Sequence, residues 1–141
     1  MWRHFTKKEL LGPREATPEV LGALDWLVTH VLDRWRDALG KPLRVTSGYR
    51  TVEENERIPG AASDSWHTWG AAVDVAPVGV NLAYAFSLLR GLPFDKAILY
   101  PSDGHIHVQA RNTEGPVIGA NRNLRYRANR DSKGKVTYVR L

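Results

Sequence analysis

His67 and Asp74 are separated by six residues in the run S-W-H-T-W-G-A-A-V-D, and further along His105 and His107 form an H-x-H pair. Imidazole nitrogens and carboxylate oxygens are ligands of catalytic zinc, which commonly takes three from the protein and leaves a fourth position for water. Two imidazoles and one carboxylate leave net positive charge on such an ion, and that charge lowers the pKa of bound water towards 7. Gly70, Ala71 and Ala72 let the chain turn tightly from a loop into a strand, so that His67 and Asp74 can face one point. Residues two apart on a strand project to the same face, so the H-x-H pair can offer two imidazoles to one site. A lone histidine is more often a satisfied surface or core residue; this combination points to a metal. Of the other histidines, His30 lies near the apolar stripe of a helix and reads as structural, and His4 has no obvious partner and reads as incidental.

The elements that must position these groups can be read in outline. Thr6 is an N-cap for a short turn ending at Gly12-Pro13. Thr17-Pro18 opens the clearest helix, an N-cap followed by proline at the first helical position. Along it Val20, Leu24, Leu27, Val28, Val31 and Trp35 recur at three- and four-residue steps, and Gly40 is placed to end it with a positive φ. Residues 42–46 read as a strand, 52–57 as a short helix, 59–64 as a loop and 71–75 as an apolar run interrupted by Asp74. Residues 82–89 have a helical pattern. Residues 97–100 and 105–108 form two strands joined by the turn Pro101-Ser102-Asp103-Gly104. A hairpin follows, with strands at 124–128 and 136–139 and a turn at 131–134. Helices first and a sheet later predict an α+β domain with a mainly antiparallel central sheet and helices packed on one side.

Three segments carry a resemblance: Val45-Thr46-Ser47-Gly48-Tyr49-Arg50-Thr51, Ser65-x-His67-x-x-Gly70-x-Ala72-x-Asp74 and His105-x-His107-Val108. In order, spacing and composition they resemble the motifs of zinc D-alanyl-D-alanine carboxypeptidases and L-alanyl-D-glutamate endopeptidases, relatives of lysostaphin-type enzymes and of the Hedgehog domain. The opening His4-Phe5-Thr6-x-x-Glu9-Leu10 is similar to a common start of that family. The resemblance runs from about residue 4 to about residue 110; residues 121–141, a basic hairpin, match nothing in it. It implies a single zinc metallopeptidase domain over residues 1–141, with His67, Asp74 and His107 holding one zinc ion and hydrolysis of peptidoglycan stem peptides as the activity. Arg50 would contact a substrate carboxylate or stabilise the oxyanion, for which its guanidinium fork is suited. Ser65, Tyr49 and Trp69 would line the substrate site, with a local cap as the other reading of Ser65 and a core position as the other reading of the neighbouring tryptophans. Many relatives carry an acid three residues before the last ligand, but here Gly104 stands there. His105 then becomes the first choice for the general base and Asp103 the second. Loss of hydrolysis, leaving a zinc-containing wall-binding or virion structural protein of the same fold, is the alternative.

Composition narrows the partners. The 141 residues are 43% hydrophobic and 25% charged, ordinary for one globular domain, and no run is apolar enough to span a membrane. There is no cysteine, which removes disulfides, thiolate metal sites and cysteine nucleophiles together. The net charge of +5 favours polyanions, with the bacterial wall or nucleic acid as candidates. Arg122, Arg125, Arg127 and Arg130 with Tyr126 could grip nucleic acid, although no recognised motif accompanies them; a charged, aggregation-resistant edge hairpin is the commoner explanation. A monomer acting on peptidoglycan is the expectation. The N-terminus lacks the apolar stretch of a secretory signal, so delivery to the wall by lysis or in a phage particle is expected.

Overall fold

The computed structural model describes residues 2–113 and 117–141. Thr6 caps α1 (Lys7–Leu11) in a reciprocal capping box with Glu9, and Gly12 ends it. The stripe after Thr17 forms one continuous helical rod: α2 (Pro18–Leu27), a π-helical turn (Val28–Leu32) and α3 (Asp33–Leu39), closed by Gly40 at φ 67°. The π turn has no signature in the apolar periodicity. Short helices α4 (Val52–Glu56) and α5 (Leu82–Ser87) follow, each opened by the side chain of its N-cap, Thr51 or Asn81.

Six strands make one sheet in the order β1-β2-β4-β3-β5-β6. They are β1 (Leu43–Ser47), β2 (Ala72–Pro77), β3 (Lys96–Tyr100), β4 (His105–Gln109), β5 (Leu124–Arg130) and β6 (Val136–Arg140). All neighbours are antiparallel except β3 and β5, which run parallel. The expected α+β architecture is therefore the observed one, with strand and helix ends shifted by one or two residues from the pattern.

Alternation along the strands divides the sheet into two faces. Val73, Val75, Ala97, Leu99, Ile106 and Val108 are buried, and they join the helical stripe of Val20, Leu24, Leu27, Val31 and Trp35 in one core. Each fully buried valine, leucine or isoleucine among them contributes roughly 1.5–3 kcal/mol. Trp35 is wholly buried and its indole N–H donates to the Ala85 carbonyl at 2.8 Å, tying the long helix to α5. The opposite face carries Asp74, His105 and His107.

Two polar anchors fix the chain ends to this frame. Asp33, nearly buried, accepts the backbone N–H groups of Arg3 and His4 at 3.0 and 3.1 Å. His4 is not partnerless, as the sequence suggested: its Nε2 lies 2.6 Å from Asp37, which Arg3 also grips with both terminal nitrogens. Asp95, fully buried at the entry to β3, accepts from the Arg122 backbone and guanidinium, while Arg111 lies at 3.4 Å. That latch holds the segment leading to β5 against the sheet.

Candidate metal centre

Asp74 of β2 and His107 of β4 are register partners, so their side chains rise side by side from the open face of the sheet. Nδ1 of His107 lies 2.8 Å from Oδ1 of Asp74. His67 arrives from the 3-10 turn Trp66–Trp69, capped by Ser65 and closed by Gly70 at φ 72°. A Cβ at Gly70 would fall 2.7 Å from the Val20 carbonyl oxygen, so only glycine lets this turn press against α2. Nε2 of His67 lies 3.4 Å from Oδ1 of Asp74. One donor atom from each of His67, Asp74 and His107 lies within 4.8 Å of the others.

Hydrogen bonds set which nitrogen each imidazole offers. A carbonyl or amide oxygen only accepts, so the ring nitrogen facing it carries the hydrogen. Nδ1 of His67 donates to the Gly48 carbonyl at 2.9 Å, and Nε2 of His107 donates to Oε1 of Gln109 at 2.8 Å. Neutral imidazoles held this way would present Nε2 of His67 and Nδ1 of His107, the two atoms turned towards Asp74, to a metal ion, which is how outer partners orient metal-binding histidines. Without a metal ion, a proton bridges His107 Nδ1 and the Asp74 carboxylate at 2.8 Å.

The electrostatics agree with that assignment. Burial pushes the His67 imidazolium towards its neutral form, more than Asp74 opposes it. For Asp74 burial works against ionisation, but the adjoining His107 and His67 imidazoles outweigh it and hold the carboxyl well below the usual range. A neutral imidazole and an ionised carboxylate are the states a metal ligand requires. Ligands about 2.1 Å from a tetrahedral ion stand roughly 3.4 Å apart, so the three donors fit a zinc-sized cation with small adjustments.

Arg50 enters from the loop after β1. Its backbone N–H donates to the His67 carbonyl at 3.0 Å, joining the two loops. Its guanidinium donates to Ser47 Oγ at 3.0 Å and Asn55 Oδ1 at 3.1 Å, and lies 3.6 Å from Asp74 Oδ2. A fixed cation thus stands at the rim with one edge towards the carboxylate.

The other candidates fall in several places. His105 is half-buried on the same face of β4 as His107, its ring stacked on Tyr100 with centroids 4.6 Å apart. Asp103 lies on the β3–β4 turn and is engaged by Arg130 at 2.9 Å. Ser65 Oγ accepts the His67 N–H at 3.4 Å, a local cap. Tyr49 packs against the core and its N–H donates to the Leu10 carbonyl. Trp69 is 36% exposed, whereas Trp66 packs on Ala23, Ala71 and Val117 beneath the Arg111 guanidinium. The residues not anticipated are Gln109, Asn55 and the Gly48 carbonyl. Gln109 had a signal, since it continues the alternation of the H-x-H strand; the other two had none.

No curated protein sequence matches the chain. A family model described as Peptidase M15 matches residues 3–109. That span opens just before α1 and closes on Gln109, so it contains all three converging donors, Arg50 and both residues that orient the imidazoles. No helix among the described residues is long and apolar enough to cross a membrane. The match covers most of the chain and the donor set suits the metal chemistry of such peptidases: the chain belongs to the Peptidase M15 family of zinc-dependent peptidases.

Proposed function

We propose that this peptidase hydrolyses amide bonds in the stem peptides of bacterial peptidoglycan, with one zinc ion held by His67, Asp74 and His107. The observation that carries this reading is the convergence of those three donors in a chain of the M15 family. A bound zinc ion supplies a Lewis acid that polarises the scissile carbonyl and acidifies water. His105, two residues from His107 on the same face, accepts the proton of the attacking water and returns one to the leaving amine. Arg50, held by Ser47 and Asn55, stabilises negative charge developing on the carbonyl oxygen or receives a substrate carboxylate. Trp69, more exposed than Trp66, lines the approach, and Tyr49 and Ser65 support the loops that frame it. Asp103 is the weaker base because Arg130 already neutralises it. The protein acts as a monomer on the wall, delivered by lysis or in a phage particle.

One observation favours a second reading, a non-catalytic wall-binding or virion protein of the same fold. Gly104 stands where many relatives carry the acid, and the adjacent Asp103 is bound in an ion pair. Metal analysis and release of soluble fragments from purified peptidoglycan separate the two. The enzyme binds about one equivalent of zinc and releases fragments, and both are lost in His67→Ala and with chelator. Zinc without any release would establish the binding protein.

A further inference from the structure

The hairpin β5–β6 lies beyond the family-matched residues yet continues the sheet that carries the metal centre. Its register shows where it leads. His107 pairs with Ile98, Ile98 with Tyr126 and Tyr126 with Arg140, one unbroken row across β4, β3, β5 and β6. Register partners project to the same face, so Tyr126 and Arg140 share the face of His107. A second row confirms it two residues away: Tyr100 stacks on His105, and its hydroxyl lies 3.3 Å from that of Tyr138 on β6. The two tyrosine rings meet edge-to-face at 6.3 Å. Arg130 closes the far corner by gripping Asp103 of the β3–β4 turn.

The outcome is an aromatic strip that begins at the metal centre, passes over Ile98 and Ala128, which its side chains bury, and ends at an exposed cation. Tyr138 is 53% exposed, and Arg140 is exposed with no ion pair among the described residues. Three strand spacings of about 4.8 Å place Arg140 roughly 14 Å from His107, the reach of about four residues of extended peptide. From this we infer that the front face of the hairpin is a substrate-docking surface for an extended, carboxylate-bearing peptide segment whose scissile amide lies at the metal centre. The rings of Tyr126 and Tyr138 cover its apolar parts, and Arg140 pairs with a carboxylate at the far end. The inference rests on the peptidoglycan reading above, since stem peptides supply such carboxylates. Continuity with the metal site and complementary charge favour this occupant over nucleic acid.

The test uses the zinc-loaded full chain and sedimentation with purified, insoluble peptidoglycan on ice, a measurement that needs no hydrolysis. Arg140→Gln and Tyr126→Ala/Arg140→Gln are compared with Lys133→Gln, which removes one charge from the β5–β6 turn, off the row. Zinc content and melting temperature verify that each variant is folded. The double variant should bind about tenfold more weakly, one charged contact and one ring lost, and Arg140→Gln alone should show part of that loss. Lys133→Gln should stay within about twofold, as an exposed charge does. Amidating the carboxylates of the peptidoglycan should bring the parent down to the level of Arg140→Gln. Equal binding by parent and double variant, an equal loss in Lys133→Gln, or indifference to amidation would each overturn the inference. So would a parent that prefers single-stranded DNA to wall material. Binding that depends on Arg140 without any hydrolysis would support this surface and sink the peptidase reading; hydrolysis with unchanged binding and KM in the variants would do the reverse.

Discussion

Asp74 and Asp95 are both largely withdrawn from solvent, yet one belongs to a candidate metal centre and the other to a latch. Asp95 faces two guanidinium groups, and Arg122 also presents its backbone N–H, so the carboxylate is saturated by permanent cations. Asp74 faces two imidazoles, which can be neutral or charged, and one arginine held back at 3.6 Å. Imidazoles in their neutral form share the carboxylate with a metal ion, whereas arginines cannot lose their charge to make way for one. The partner's capacity to be neutral, more than burial or the acid itself, separates a site from a strut.

Exchanging each acid for its amide breaks the comparison most sharply. Asp74→Asn should abolish zinc binding and, with it, peptidase activity, while the melting temperature of the metal-free protein stays within a few degrees; zinc content and fragment release are the readouts. Asp95→Asn should retain zinc and kcat but lose about 3 kcal/mol of stability in urea, because two arginines lose their counter-charge and one hydrogen-bond acceptor. If Asp95→Asn lost its zinc instead, the division drawn here would collapse.

Gln109→Leu sharpens the same contrast at the next shell. It removes the acceptor for Nε2 of His107, and zinc affinity measured by competition with a chelator should fall about 10- to 100-fold. A smaller effect is expected from acid. Burial raises the Asp95 carboxyl, but the Arg122 hydrogen bonds outweigh it and the folded value lies below the ordinary one. A depressed folded pKa contributes stability that is present above the unfolded value, about 3.9, and is lost as pH falls below it. The stability of Asp95→Asn should therefore decline less steeply than that of the parent below about pH 4, in urea titrations at stepped pH.

What could be read in the sequence was local. His67 to Asp74 is one short turn and one strand start, and H-x-H is a single strand, so spacing alone brought these groups towards one face. The Thr17-Pro18 cap and Gly40 bounded the long helix for the same reason. What could not be read depends on contacts between distant segments. Asp95 meets Arg122 across 27 positions, Asp103 meets Arg130 across 27, and His4 meets Asp37 across 33. Charged residues in loops or on exposed faces of helices and strands carry no period to say which partner the fold will supply. Asn55 was hidden by its place in an acidic helical turn, although it is buried and donates to the Ala62 carbonyl.

The first short helix bears on catalysis through one missing methyl group. At Gly48 a Cβ would sit 2.2 Å from the Leu10 carbonyl oxygen, and the next N–H, of Tyr49, donates to that same oxygen at 2.8 Å. The peptide that tells His67 which nitrogen to present is thus clamped by the last turn of α1. Residues that touch no ligand consequently govern tautomer choice in the candidate metal site. Trimming the chain through Leu11 should loosen metal retention even where the strands stay hydrogen-bonded, and Gly48→Ala should do the same by prying the loop from its clamp.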